Sequence, residues 1–130
     1  MKKILNVGHC NSDGPKMKQL FESSLEDTQV VEAKTHNDAL TKIKEEGPWD
    51  IILVNRIFDV DGYEGLTFIS EVKKENPAQK ILLISNFKES QKDAEEKGAL
   101  EGFGKNDLDS GLAVDVLTDH LSEKRDVSTS

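Results

Sequence analysis

A single cysteine, a deficit of basic residues and the lack of any long apolar run set the first limits on this 130-residue chain. Cys10 alone leaves no disulfide framework and cannot by itself build a thiolate metal site. The 17 lysines and arginines face 25 aspartates and glutamates, a net charge of −8. A chain of that sign repels polyanions on average, so no nucleic-acid partner is expected. No apolar stretch approaches the ~18–20 residues of a membrane span, and Met1-Lys2-Lys3-Ile4-Leu5 moves straight into polar sequence, so no secretory signal is expected. Neither repeats nor low-complexity segments occur, and the scattered glycines at 98, 102 and 104 form no phosphate-binding loop. The expectation is one cytoplasmic domain without a membrane partner, with enough of its residues hydrophobic (35%) to fill one core.

What is present is an alternation of short apolar runs with amphipathic stretches. Lys3 to Gly8 reads as a buried strand, and Ser12-Asp13-Gly14-Pro15 supplies the cap and first turn of a helix carrying Met17, Leu20, Phe21 and Leu25. The β-branched run Thr28 to Val31 predicts a second strand. Thr35 with Asp38 makes an approximate capping box for a helix bearing Ala39, Leu40 and Ile43, stopped by Gly47-Pro48. Asp50 to Asn55 holds four apolar residues in a row, as suits a strand covered on both faces. Leu66, Ile69 and Val72 mark the next helix. Ile81 to Ser85 is another continuous strand, Glu89 to Lys97 a polar helix, and Leu100 to Gly104 a glycine-rich strand. The spacing of Leu112, Val114, Val116, Leu117 and Leu121 predicts a last helix over about Leu108 to Leu121, and residues 123–130 are expected to fray.

Strand and helix thus alternate five times, the signature of a parallel sheet with helices on both faces. Two architectures fit: a five-stranded flavodoxin-like, doubly wound sheet, or half of a larger dinucleotide fold. The length favours the first. Ligands of such sheets sit at the carboxyl ends of the strands. The residues to question are therefore Gly8, His9 and Cys10, then Asn55 and Arg56, Ser85 and Asn86, and Lys105.

Asp50-Ile-Ile-Leu-Val-Asn55 with Asp61-Gly62, then Ile81-Leu-Leu-Ile-Ser85, then Gly98-Ala99 leading to Lys105, resemble the ordered blocks of a response-regulator receiver domain. The resemblance covers Met1 to about Leu121 and implies the phospho-accepting module of two-component signalling, here a domain over residues 1–122. In that family an acidic pair after the first strand helps bind magnesium. An aspartate ending the third strand is the nucleophile and a metal ligand, and a hydroxyl and a lysine after the fourth and fifth strands contact the phosphoryl group. Carried across, the acidic pair falls on Gly8 and His9, the nucleophile on Asn55, the hydroxyl on Ser85 and the lysine on Lys105. The positions that would hold the metal and form the bond carry no carboxylate, and an amide is a far poorer nucleophile than a carboxylate. The residue after the hydroxyl, small in the family, is Asn86. The aromatic switch position is Gly102, with Phe103 one place off and turned to the other side by strand alternation.

The resemblance implies a degenerate receiver, not an enzyme, with magnesium binding lost or weak and no cofactor. Its output is expected through a protein partner or a homodimer on the face of the fourth helix, fifth strand and fifth helix, about Glu89 to Leu121. Two alternatives remain open. One is a phosphorelay acceptor using a non-standard residue, with Asp13, Asp59 and Asp61 as neighbours of the pocket. The other is a small-ligand sensor at the pocket itself. Lys105, deprived of the usual acids, is expected to find Asn55, a backbone carbonyl, or one of Asp13, Asp59 and Asp61. Arg56 offers a weak hint of anion binding, and His9-Cys10 reads as a surface loop with an incidental thiol.

Overall fold

The computed structural model describes residues 1–122; the expectation for 123–130 lies outside them. Five strands, β1 (Lys2–Val7), β2 (Thr28–Ala33), β3 (Ile51–Asn55), β4 (Ile81–Ile84) and β5 (Leu100–Phe103), alternate with five helices. The helices are α1 (Asp13–Ser24), α2 (His36–Glu46), α3 (Gly65–Glu75), α4 (Lys88–Glu96) and α5 (Leu112–Ser122). All strand pairs are parallel, in the order β2-β1-β3-β4-β5. Strand order reverses between β1 and β3, so their carboxyl ends open a crevice at the switch point.

Alternation along each strand divides the core in two. Leu5, Val7, Ile52, Val54, Ile81 and Leu83 face α2, α3 and α4 together with Phe58, Phe68, Ile69, Val72 and Ala94. Ile4, Ile51, Leu53, Leu82 and Ile84 face α1 and α5, among Met17, Phe21, Phe103, Ala113 and Leu117. β3 and β4 are buried along their whole length, which is why they read as unbroken apolar runs.

Three local features depart from the expectations. β2 extends two residues further, to Ala33, because it pairs with β1 from Lys2 to Val7. The capping box of α2 is half formed: Thr35 Oγ1 accepts from the Asp38 N–H at 3.1 Å, but the Asp38 carboxylate reaches the Lys34 N–H at 3.4 Å. The last helix begins at Leu112, not Leu108. Lys105–Asp107 form a single 3-10 turn, and Gly111 then takes the left-handed conformation (φ 86°) that separates it from the helix. Leu108 is nevertheless buried, so it fits the apolar pattern from outside the helix.

Candidate functional site

The carboxyl ends of β1, β3, β4 and β5 bring together the positions singled out from the sequence. Asn55 is buried, and its amide nitrogen donates to the Gly8 carbonyl at 2.9 Å and the Ile57 carbonyl at 2.7 Å. Both amide hydrogens are thereby committed, tying the β1 exit to the β3 exit. Gly8 is left-handed (φ 81°), and a Cβ there would lie 2.4 Å from the Phe58 ring. Its carbonyl also accepts from the Asp59 N–H at 2.9 Å.

Lys105 meets Asp13, at the start of α1, at 2.9 Å. This is one of the partners expected for it. The ammonium bonded to the Asp13 carboxyl holds it below the usual carboxylate range, against a smaller opposing effect of burial. Two other candidate acids do not face this pair. Asp61 accepts from the His36 N–H (2.9 Å) and the Tyr63 N–H (3.1 Å), joining the β3–α3 loop to the start of α2. The Asp59 side chain is exposed. Their sequence proximity to Asn55 does not bring them to the pocket, because the loop folds toward α2.

His9 is not on a surface loop as expected: it is 2% exposed. Neither ring nitrogen makes a hydrogen bond of normal geometry within the described residues, and the same holds for both polar side-chain atoms of Asn6, 1% exposed. Burial, reinforced by the nearby Lys105 charge, drops the His9 pKa to about 3, although a polar contact from the Leu53 backbone works the other way. His9 is therefore neutral throughout the physiological range. Cys10 is half-buried, and its Sγ accepts weakly from the Asp13 N–H at 3.4 Å.

Ser85 is 8% exposed, and its Oγ accepts from the Phe87 N–H at 3.1 Å. Asn86 Oδ1 accepts from the Asn106 N–H at 3.1 Å. A Cβ on Gly104 would lie 2.0 Å from that oxygen, so glycine at 104 is what admits the Asn86 side chain. Ser85 and Asn86, with Asn55, Arg56, Phe87 and Lys105, line a cleft of about 340 Å³ at the exits of β3 and β4.

One site residue carried no signal in the sequence. Gln91, on polar α4, inserts its amide nitrogen among the carbonyls of Leu83 (2.9 Å), Ser85 (3.0 Å) and Phe103 (3.2 Å). It can do so because Gly102 has no side chain: a Cβ there would lie 2.1 Å from the Leu83 carbonyl oxygen and 2.6 Å from Gln91 Oε1. The β4–β5 pairing also slips, since Leu82 opposes Leu100 but Ile84 opposes Phe103. Phe103 points into the α1–α5 core, edge-on to Phe21 at 6.2 Å. On the α4 side of β5, where the family resemblance leads one to expect an aromatic side chain, the Gln91 amide stands against the strand. Gln91→Leu is expected to lower stability by about 2 kcal/mol, because it strips partners from buried carbonyls. Urea denaturation measures this, and a change within 0.5 kcal/mol, roughly that of an ordinary surface substitution, would show that the clamp is idle.

Neither family profiles nor curated proteins yield a match to this sequence. Solved structures do. A response regulator from Thermotoga maritima superposes with a TM-score of 0.77 at 21% identity, covering 94% of this chain and 98% of that one. A response-regulator receiver domain protein from Clostridium thermocellum gives 0.79 at 17% identity, covering 96% and 98%. NtrX from Brucella abortus gives 0.76 at 21% identity over 97% of this chain, which spans 29% of the NtrX chain. With its β2-β1-β3-β4-β5 parallel sheet and five flanking helices, the chain has the flavodoxin-like fold of response-regulator receiver domains.

Proposed function

We propose that this chain is an atypical response-regulator receiver domain that signals by protein–protein interaction without aspartyl phosphorylation. The observation that carries the reading is the position of the Asn55 amide. It is neutral, and it donates to the Gly8 and Ile57 carbonyls. A cation using those two carbonyls would have to displace the nitrogen that now binds them. Magnesium asks for carboxylate or other free oxygens. Gly8 supplies no side chain, and the neutral, buried His9 side chain supplies no oxygen, so the side chains at these positions do not fit the ion. Magnesium binding is lost or weak in this reading, and no phosphoryl bond forms at position 55.

Signalling then runs through the face of α4, β5 and α5 to a protein partner or a second copy of the chain, in the cytoplasm and without enzymatic turnover. The Gln91 clamp supports this by joining α4 to the ends of β4 and β5 through one side chain, which ties two elements of the face together.

The test is intact mass after incubation with magnesium and a small-molecule phosphodonor, beside a receiver domain that retains its acids as a control for the donor. The chain is expected to keep its mass while the control gains a phosphoryl group. A phosphorylated chain would overturn the proposal, and peptide mapping would then locate the acceptor.

A further inference from the structure

Between α2 and α3, away from the strand exits, lies a trench of about 340 Å³. Leu40 and Ile43 of α2 and Val72 of α3 line its middle. The polar groups at its ends are already engaged. At one end His36 Nε2 lies 3.0 Å from Glu71 Oε1, and the Tyr63 O–H donates to Glu71 Oε2 at 2.7 Å. At the other, the Gln79 amide nitrogen donates to the Trp49 and Lys80 carbonyls at 3.1 and 2.9 Å. The trench therefore suits an apolar side chain, and one stands on its own wall: Leu40 is 40% exposed. The two rims also differ in charge. Lys44 follows Leu40 one turn further along α2, and Glu75 borders the trench on α3. Both are exposed, and among the described residues neither has an ion pair.

An apolar side chain beside an apolar trench, with an unpaired cation on one rim and an unpaired anion on the other, makes a surface complementary to itself. Self-complementarity is the condition for an isologous two-fold contact. We propose that the α2–α3 face docks a second copy of this chain. Both helices return from parallel strands and so run in the same direction, and a two-fold axis along them lays each α2 over the α3 of the second copy. Each Leu40 then enters the opposite trench, and each Lys44 comes to a Glu75. Within one copy His36 stands level with Glu71; Lys44 lies two turns beyond the first and Glu75 one turn beyond the second. The offset of about 6 Å is one that a lysine spans, since helical side chains lean back toward the N-terminus. Lys74, the neighbouring exposed cation, falls on the side of the second copy's Glu45. Exposed ion pairs add little affinity, so the leucines supply it and the charges choose the orientation. The apolar centre is small, and the dimer is expected to be weak and dependent on concentration. The inference goes beyond the proposed function: the second copy takes the α2–α3 side, and the face of α4, β5 and α5 stays open to a protein partner.

The experiment is sedimentation velocity of the full chain over about a hundredfold range of concentration, which carries a weak dimer from dissociated to assembled. The parent is expected to approach twice its monomer mass at the top of the range. Leu40→Asp, at an exposed position where circular dichroism can verify the fold, is expected to stay monomeric throughout. Lys44→Glu and Glu75→Lys are each expected to weaken the dimer by about tenfold, because symmetry spoils two pairs with each change. The double variant is expected to regain most of that loss, since the two charges are only exchanged. A parent that remains monomeric would overturn the second copy as occupant and leave the trench to an apolar side chain of a different protein. A dimer that survives Leu40→Asp, or charge variants that fail to restore one another, would overturn it as well. A dimer lost with Leu112→Asp but kept with Leu40→Asp would place the second copy against α5, which the proposed function allows and this inference does not. A phosphorylated chain would overturn that function and leave the α2–α3 contact standing.

Discussion

Gly8→Asp, which would put a carboxylate where the family resemblance places one of an acidic pair, is expected to cost about 3 kcal/mol or more of folding stability. Two costs combine. The backbone at Gly8 is left-handed (φ 81°), which a side chain with a Cβ enters at roughly 1–2 kcal/mol. The new Cβ would also lie 2.4 Å from Phe58 Cδ1 and 3.1 Å from Phe58 Cα. Phe58 is fully buried and packs edge-on against Phe68 at 5.5 Å, so it cannot swing aside without disturbing the α3 core, a displacement of roughly 1–3 kcal/mol. Urea denaturation of Gly8→Ala isolates these costs from the added carboxyl, and Phe58→Leu in the same chain should recover part of them, a coupling between neighbours. A Gly8→Ala variant within 0.5 kcal/mol of the parent, roughly the scatter of a neutral surface change, would remove the argument. The same geometry governs position 102. An aromatic there would press its Cβ to 2.1 Å from a backbone oxygen of β4, so one substitution does not fit a ring at this position either. Gly8 is therefore a close fit around Phe58, and Gly102 a close fit around Leu83 and Gln91. Glycine at these two positions is a requirement of the packing.

How much of this is legible in the sequence depends on the kind of contact involved. Element order, the five-stranded parallel sheet and the strand-end positions follow from apolar periodicity, because buried strands and amphipathic helices write their burial directly into residue type. Lys105 and Asp13 are 92 positions apart in number, yet their pairing is among those expected, since a half-buried cation near so few acids has few choices. The start of α5 lies later than its expected place because Leu108 carries an apolar signal from a turn, and periodicity does not distinguish a buried turn from a helix. Asp61 lies away from the pocket because its bonds from the His36 N–H at the start of α2 and from the Tyr63 N–H in its own loop depend on loop conformation. Gln91 is invisible in the sequence: its function comes from the missing side chain of Gly102 on another element, and only the fold sets the two side by side. His9 departs from expectation for a related reason. A polar residue just past a strand suggests solvent, whereas the β1 exit passes against Phe58 and stays buried through His9 before it reaches half-buried Cys10.

That burial of His9 makes the largest pH effect expected of this chain. In the folded state its pKa lies at about 3, against an unfolded value near 6.5, so the unfolded chain binds more protons between those limits. Stability from this group is complete above about pH 6.5 and is lost as pH falls toward 3. Between pH 7 and pH 5 the loss should reach about 2 kcal/mol, a large part of what a small domain possesses. The carboxylates do not confuse the window. Asp13, Glu22 and Asp61 are all held below their ordinary range, by the Lys105 bond, by the Val30 N–H, and by backbone N–H groups that outweigh burial at Asp61. They stay ionised until more acid pH. The measurement is urea denaturation of parent, His9→Gln and His9→Phe at pH 7, 6 and 5. Each variant starts from its own stability, so the slope with pH is the readout: steep in the parent, shallow in both variants. Proton-detected titration of the His9 ring in the folded chain gives an independent check, since a ring that titrates near pH 6 would place it in contact with water. Parallel slopes in all three proteins would likewise overturn the assignment of this pH dependence to His9. A steep slope confined to the parent would mean that the position where the family resemblance places a metal-binding acid is held here by a neutral ring, whose protonation costs the fold stability.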